Sequence, residues 1–210
     1  MRHAPLQRRA FSDALLEVGP SAPTLCEGWT AHDLAAHCWV REHNPTALLG
    51  IASKRFEHLA EGEMAKVKQR MGFVELATRL ADTPRTPITL VPAADEAVNT
   101  VEYLIHTEDV RRANGLPKRL VPPDLEVALW RRLGLVGRLL FRGGDVGVVL
   151  EQAGSDAAPL RVKAGSATVT LVGRPSELLL FAFGREQHAD VRLVGEQRAI
   201  DALLAAKRGA

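Results

Sequence analysis

The chain has 210 residues, enough for one large domain or two small ones. Hydrophobic residues make up 46% and charged residues 25%, a mixture that buries a proper core and argues against a disordered chain. A net charge of +2, without strong polarity between the halves, leaves no electrostatic footprint for nucleic acid and no polybasic patch for a membrane surface.

Pro5 opens the first predicted helix, with Leu6, Ala10, Phe11, Ala14, Leu15 and Val18 at helical spacing and Gly19-Pro20 as its stop. A loop from Pro23 to Gly28 leads to Thr30, with Asp33 three residues on. That pair reads as a capping box, with Trp29 placed to staple it, so the second helix runs from Ala31 to about Arg41. Asn44-Pro45 starts a further helix through Leu48, Leu49 and Ile51. The charged stretch Arg55 to Arg70 reads as a mobile or surface helical segment, and Gly72 to Ala81 as a short amphipathic helix. Pro84, Pro87 and Pro92 then mark an extended linker. Asp95 to Asn114 is a long helix closed by Asn114-Gly115, and Pro122-Pro123-Asp124 opens another over Leu125 to Leu140.

Composition changes at Arg142-Gly143-Gly144. Strand patterns follow at Val146 to Leu150, Leu160 to Ala164 and Ala167 to Val172. A helix over Pro175 to Gly184, a strand over Ala189 to Val194 and a closing helix over Gln197 to Lys207 complete the order βββαβα. The expected fold class is α+β: a four-helix bundle over residues 1–142, then a small α+β domain over 145–210. Cys26 and Cys38 are the only cysteines, which suits a reduced, cytoplasmic protein rather than a disulfide scaffold. Met1 to Arg9 is basic but lacks the apolar run of a signal peptide, and the longest apolar stretch, Leu178 to Phe183, is too short to span a bilayer.

The chemistry-bearing residues lie on two of these helices. Glu102 and His106 are four apart and share one helical face, while His37 sits in the second or third turn of its own helix. Two imidazoles and a carboxylate fill three positions around a divalent metal and leave room for water or a thiolate. Zinc and other first-row metals suit such ligands. Read singly, Glu102 and His106 are equally a solvated pair, and His37 a satisfied core histidine. Asp109, three residues after His106, either orients that histidine or pairs with Arg112. Asp33 stands four residues before His37 and allows the same two roles beside capping. Cys38 points about a hundred degrees away from His37 around the helix and reads as an inert thiol. Cys26 is a loop thiol open to reaction. Arg111, Arg112, Lys118 and Arg119 read as a solvated helix end or as a hold on a substrate carboxylate. His32, His43 and His58 receive no role.

Thr24-Leu25-Cys26-Glu27-Gly28-Trp29-Thr30, followed by Asp33-Leu34-Ala35-Ala36-His37, resembles the first signature of the mycothiol-dependent maleylpyruvate isomerase-like family. Glu102-x3-His106-x2-Asp109-Val110-Arg111-Arg112 resembles its second. Gly173-Arg174-Pro175-Ser176-Glu177-Leu178, Phe183-Gly184-Arg185 and Val191-x-Leu193-Val194-Gly195 resemble its C-terminal domain, which is similar to sterol-carrier folds. The resemblance implies a DinB-like bundle with a divalent metal, zinc, on His37, Glu102 and His106. It also implies mycothiol as thiol cosubstrate in an actinobacterial cytoplasm, and an arginine of the C-terminal domain that helps catalysis, here matched by Arg185. The partners so implied are a small-molecule thiol and an electrophilic substrate, with isomerase or S-transferase chemistry and Asp109 assisting proton transfer. The rival expectation is a non-catalytic metal- or small-ligand-binding protein on the same fold.

Overall fold

The structure is a computed structural model that describes residues 2–44 and 57–206, with backbone alone over 57–59. The helix expected through Leu48 and Ile51 and the side chain of His58 lie outside the described residues. Within them the helices are α1 (Ala4–Val18), α2 (Ala31–His43), α3 (Glu57–Arg70), α4 (Phe73–Leu80), α5 (Pro92–Ala113), α6 (Pro123–Leu140), α7 (Pro175–Ala182) and α8 (Gln197–Ala205). The strands are β1 (Gly147–Gln152), β2 (Leu160–Lys163), β3 (Thr168–Gly173) and β4 (Val191–Val194). This is the α+β architecture that the sequence suggests, a helical bundle and a small sheet unit, in the order βββαβα after α6. No described helix is long and apolar enough to cross a membrane.

Contacts divide the chain into two compact units, residues 1–118 and 119–210. In the first, α1 packs along α5, and α2 lies against α3 and α4. The start of α2 is a closed capping box: Thr30 Oγ1 accepts from Asp33 N–H at 3.3 Å, and Asp33 Oδ2 accepts from Thr30 N–H at 3.0 Å. At the far end of α5, Gly115 takes a left-handed φ of +65°. Its N–H reaches Arg112 O and the Leu116 N–H reaches Arg111 O, which satisfies the last carbonyls and stops the helix. The apolar core gathers Phe11, Leu15, Leu34, Leu76, Leu80, Tyr103 and Val110, all at or near full burial.

One side of α5 is polar and nevertheless buried. Asp95, Asn99, Glu102, His106 and Asp109 recur at alternating spacings of four and three, the period of an inward-facing helical stripe. All but Glu102 are buried, Asp95 and Asp109 completely. A buried carboxylate is stable only when paired. Arg8 of α1, itself fully buried, places Nη2 at 2.7 Å from Asp95 Oδ1 and donates through Nε and Nη2 to Glu42 Oε1. Asn99 Nδ2 donates to the same Asp95 oxygen at 2.7 Å, and Arg41 Nη2 donates to Asn99 Oδ1 at 2.6 Å. Arg2 closes the outer end at 3.2 Å from Asp95 Oδ2.

In the second unit the sheet order is β2-β1-β3-β4. β1 pairs parallel with β3 in the register Val148↔Val169 and Leu150↔Leu171, and antiparallel pairs flank it on both sides. Helix α7 is buried at every position, consistent with its run of Leu178, Leu179, Leu180 and Phe181. Helix α6, which the sequence reading groups with the bundle, packs against α7 and β2. Two local features explain that company. Glu126 accepts from the Ser176 N–H and Oγ at 2.9 and 2.8 Å. Gly137 also lets β2 approach closely, since a Cβ there would lie 2.7 Å from Val162 Cγ1.

Two stability outcomes follow from these contacts. Arg8→Met strands two buried carboxylates and is expected to destabilise the chain by about 3–5 kcal/mol, read as a lower urea midpoint. Gly137→Leu overfills the α6–β2 contact and is expected to cost about 1–3 kcal/mol, read from the unfolding transition of the second unit.

Candidate metal centre

The site is built between side chains of α2 and the polar side of α5. His37 stands two turns into α2, held in phase by the capping box. Glu102 and His106 stand one turn apart on α5. One ligand atom from each of the three lies within 4.8 Å of the others. His106 Nε2 is 3.6 Å from Glu102 Oε2, and the two imidazole rings meet edge to face, 5.4 Å between centroids. Both histidines are buried, at 8% and 9% exposure, whereas the Glu102 side chain is 30% exposed. The donor cluster therefore opens at Glu102. Two imidazole nitrogens and one carboxylate oxygen are donors that suit a divalent first-row cation.

The surroundings fix how the rings present themselves. Asp109 Oδ2 lies 3.0 Å from His106 Nδ1. When the ring is neutral, as a cation would require, a carboxylate there holds the remaining proton on Nδ1 and leaves the Nε2 lone pair facing Glu102 and His37. Asp109 thus makes the contact with His106 that the first of its two roles needs, and Arg112 pairs with Glu108 at 2.7 Å. Asp33 is occupied by Thr30 and Lys68 and does not reach His37 as a partner.

The loop before α2 serves both histidines. Trp29 packs on His37 with 5.0 Å between ring centroids. Cys26 Sγ donates to Asp109 Oδ2 at 3.3 Å, and the Leu25 N–H donates to Asp109 O at 3.2 Å. Cys26, His106 and Asp109 form a second close donor group that shares His106 with the first. The sequence does not reveal that Cys26 reaches Asp109, because the two are 83 residues apart.

Arg41 was also missed. It follows His37 by four residues, the same spacing that singles out Glu102 and His106, and its Nε lies 3.7 Å from Glu102 Oε2. Tyr103 packs on Phe11 at 5.6 Å, with the Arg8 and Arg41 guanidinium groups 5.2 and 5.7 Å from its ring centre. Cys38 is fully buried. His32 packs edge-on against Phe73 and His43 stacks on Trp39. Arg111 is engaged by Glu17 and the Pro117 carbonyl. Arg185 belongs to the second unit, beyond α7, where Nη1 donates to Phe183 O at 2.6 Å.

No family model matches the sequence, and no curated protein matches it. Among solved structures, the crystal structure of the mycothiol-dependent maleylpyruvate isomerase is similar with a TM-score of 0.53, and that of a histidine-to-alanine mutant with 0.54. Each comparison covers 92% of this chain and 91% of the other, at 19% identity. The chain has the maleylpyruvate isomerase fold. That fold spans both units, so the bundle and the sheet unit correspond together to the isomerase chain.

The two histidines of this isomerase-like bundle sit in opposite electrostatic settings. Burial, with help from His106 and Arg41, pushes the His37 imidazole down to about 3, so it is neutral and ready to donate a lone pair. Burial opposes charge on His106 as well. Cys38 and the hydrogen bonds to Asp109, Cys26 and Glu102 outweigh it and hold His106 well above the usual imidazole range. Burial raises the Cys38 thiol to about 12, so it is uncharged near neutrality and the carboxylates carry the effect. Burial also works against the Glu102 carboxylate, but the His106 hydrogen bond and the Arg41 charge bring it down to about 2.

The signs for the metal-free protein follow. The His37 contribution is present above the unfolded histidine value of about 6.5 and is lost as pH falls towards 3. The His106 contribution is present below about 6.5 and is lost as pH rises through its raised folded value. At pH 6 the metal-free protein is expected to show His37 as neutral imidazole and His106 as imidazolium in nitrogen-15 spectra. Identical protonation of the two rings would refute this electrostatic description.

Proposed function

We propose that this protein is a metal-dependent, thiol-dependent enzyme acting on a small electrophilic substrate, of isomerase or S-transferase type. The observation that carries the reading is the convergence of His37, Glu102 and His106, three donors in an arrangement with one side open at Glu102. A catalytic zinc site of three protein ligands keeps a position for water or substrate, whereas a structural site closes it with a fourth. The proposed ion is zinc and the proposed cosubstrate is mycothiol, in the cytoplasm. The name of the similar solved structures supports the choice of thiol.

A divalent ion held there would lower the pKa of a bound thiol and keep it as a thiolate near neutral pH. The charge of the ligand set suits that role. With both imidazoles neutral, the three side chains supply one negative charge, so a dication would leave one positive charge for a thiolate to neutralise. His37 contributes a ring kept neutral by burial and fixed by Trp29. Asp109 keeps the His106 proton on Nδ1 and so aims Nε2 at the site, and it is the proposed proton-handling group. Arg185 is the proposed arginine that engages the substrate. A thiolate would add to one carbon of an activated double bond, its π pair passing to the conjugated carbonyl oxygen. Return of that pair after bond rotation would expel the thiolate and give the isomer, whereas protonation of the adduct would retain the thiol and give transfer.

Elemental analysis of the native protein is expected to find about one zinc per chain, and His37→Ala to abolish uptake. Asp109→Asn is expected to weaken zinc about 10–100-fold in competition with a chromophoric chelator. Adding a small thiol to the cobalt-substituted protein is expected to change its visible spectrum. Full metal content in His37→Ala would exclude this ligand set. Metal binding without any thiol response would leave a non-catalytic metal-binding protein.

A further inference from the structure

A second donor group meets the first at His106, through the other nitrogen of the ring. Cys26 Sγ lies 3.3 Å from Asp109 Oδ2, and His106 Nδ1 lies 3.0 Å from the same oxygen. One ligand atom from each of Cys26, His106 and Asp109 lies within 4.8 Å of the others. A tetrahedral cation with bonds of about 2.0–2.3 Å spaces its ligand atoms about 3.3–3.8 Å apart, so a small opening of this triangle admits one. Asp109 and His106 are buried, while Cys26 is half-buried and leaves the group reachable from its side. The loop holds the thiol in place. The Cys26 N–H donates to Thr24 Oγ1 at 3.2 Å, and Cys26 O accepts from the Trp29 N–H at 3.0 Å. The Leu25 N–H on Asp109 O ties that loop to α5.

We propose that Cys26, His106 Nδ1 and Asp109 form a second cation site for a thiophilic dication such as cadmium, and that filling it excludes a cation from the His37, Glu102 and His106 group. Filling it releases the Cys26 thiol proton and the proton on Nδ1 to solvent. Thiolate and carboxylate then set two negative charges against the dication, where the first group sets one. Soft sulfur favours cadmium over harder ions. A neutral imidazole carries one lone pair and one N–H. A cation on Nδ1 therefore leaves the ring proton on Nε2, the nitrogen 3.6 Å from Glu102 Oε2, and takes a ligand from the first group. The exclusion rests on the metal reading of that first group, whereas the Cys26 site does not.

The test titrates the full-length protein with cadmium chloride and follows the ultraviolet charge-transfer band of a cadmium–thiolate bond. The wild type is expected to show that band and to bind about one cadmium per chain. His37→Ala is expected to keep the band, since His37 belongs to the first group alone. Cys38→Ala is expected to keep it as well, and Cys26→Ser to lose it. A second measurement needs no variant. With cadmium-113 and nitrogen-15 labels, spin coupling is expected at His106 Nδ1, with Nε2 still protonated. In cobalt-loaded protein, the visible cobalt spectrum is expected to fade in step with the growth of the cadmium band.

Absence of the band in the wild type, its survival in Cys26→Ser, or its loss in folded His37→Ala overturns the proposal. So does coupling through Nε2. Cadmium that binds with the cobalt spectrum intact also overturns it, since the two groups would then fill together. Wild-type protein that takes up no cobalt, yet shows the cadmium band and the Nδ1 coupling, would sink the zinc reading and support the Cys26 site.

Discussion

Charge buried inside a helical bundle must be answered by charge or by hydrogen bonds, and the first unit is organised by that demand. Helix α5 carries Asp95, Asn99, Glu102, His106 and Asp109 inward in one line. All but Glu102 are met from another element: Asp95 by Arg8 of α1, Asn99 by Arg41 of α2, His106 by His37 of α2, and Asp109 by Cys26 of the preceding loop. These partnerships fix the rotation of α5 about its axis. A rotation of one residue carries all of them out of reach and buries several unpaired groups. The apolar contacts of Phe11, Leu15 and Leu34 supply bulk burial, but they tolerate small slips that the polar line does not.

The candidate metal centre is the stretch of this line where pairing is incomplete. At the Arg8 end, acids and bases are matched and enclosed. Around Glu102 the partners stand 3.6 and 3.7 Å away, and the carboxylate is partly exposed. The groups around this gap differ sharply. His37 is kept neutral by its surroundings, while His106 leans on two carboxylates. A dication entering there would supply the charge that the surrounding network withholds.

The helices were legible because capping, proline and glycine signals are local: the Thr30–Asp33 box and the Asn114-Gly115 stop both lie where the residues place them. The succession of strands and helices along the second unit was legible for the same reason, although strand ends shift by a residue or two, as with β1 beginning at Gly147. Glu102 and His106 could be read as a pair because both lie on one helix. Their convergence with His37 depends on the register between two helices, which no local pattern encodes, and only the family resemblance raised that expectation. The Arg8–Asp95 pair had no signal in the sequence, since nothing adjacent marks a buried arginine. The company kept by α6 was also hidden, because its closeness to β2 depends on Gly137 meeting Val162 across the fold.

The segment from Pro23 to Thr30 touches both imidazoles from outside, Trp29 against one and Cys26, through Asp109, against the other. It also crosses back on itself, with Thr24 Oγ1 bonded to Trp29 O at 2.9 Å and Asn114 gripping Pro23 O. An inserted or deleted residue in this short crossing would disturb both nitrogen donors together. Descendants of this chain are thus free to vary many surface loops in length, but this one has its length dictated by the spacing of two rings.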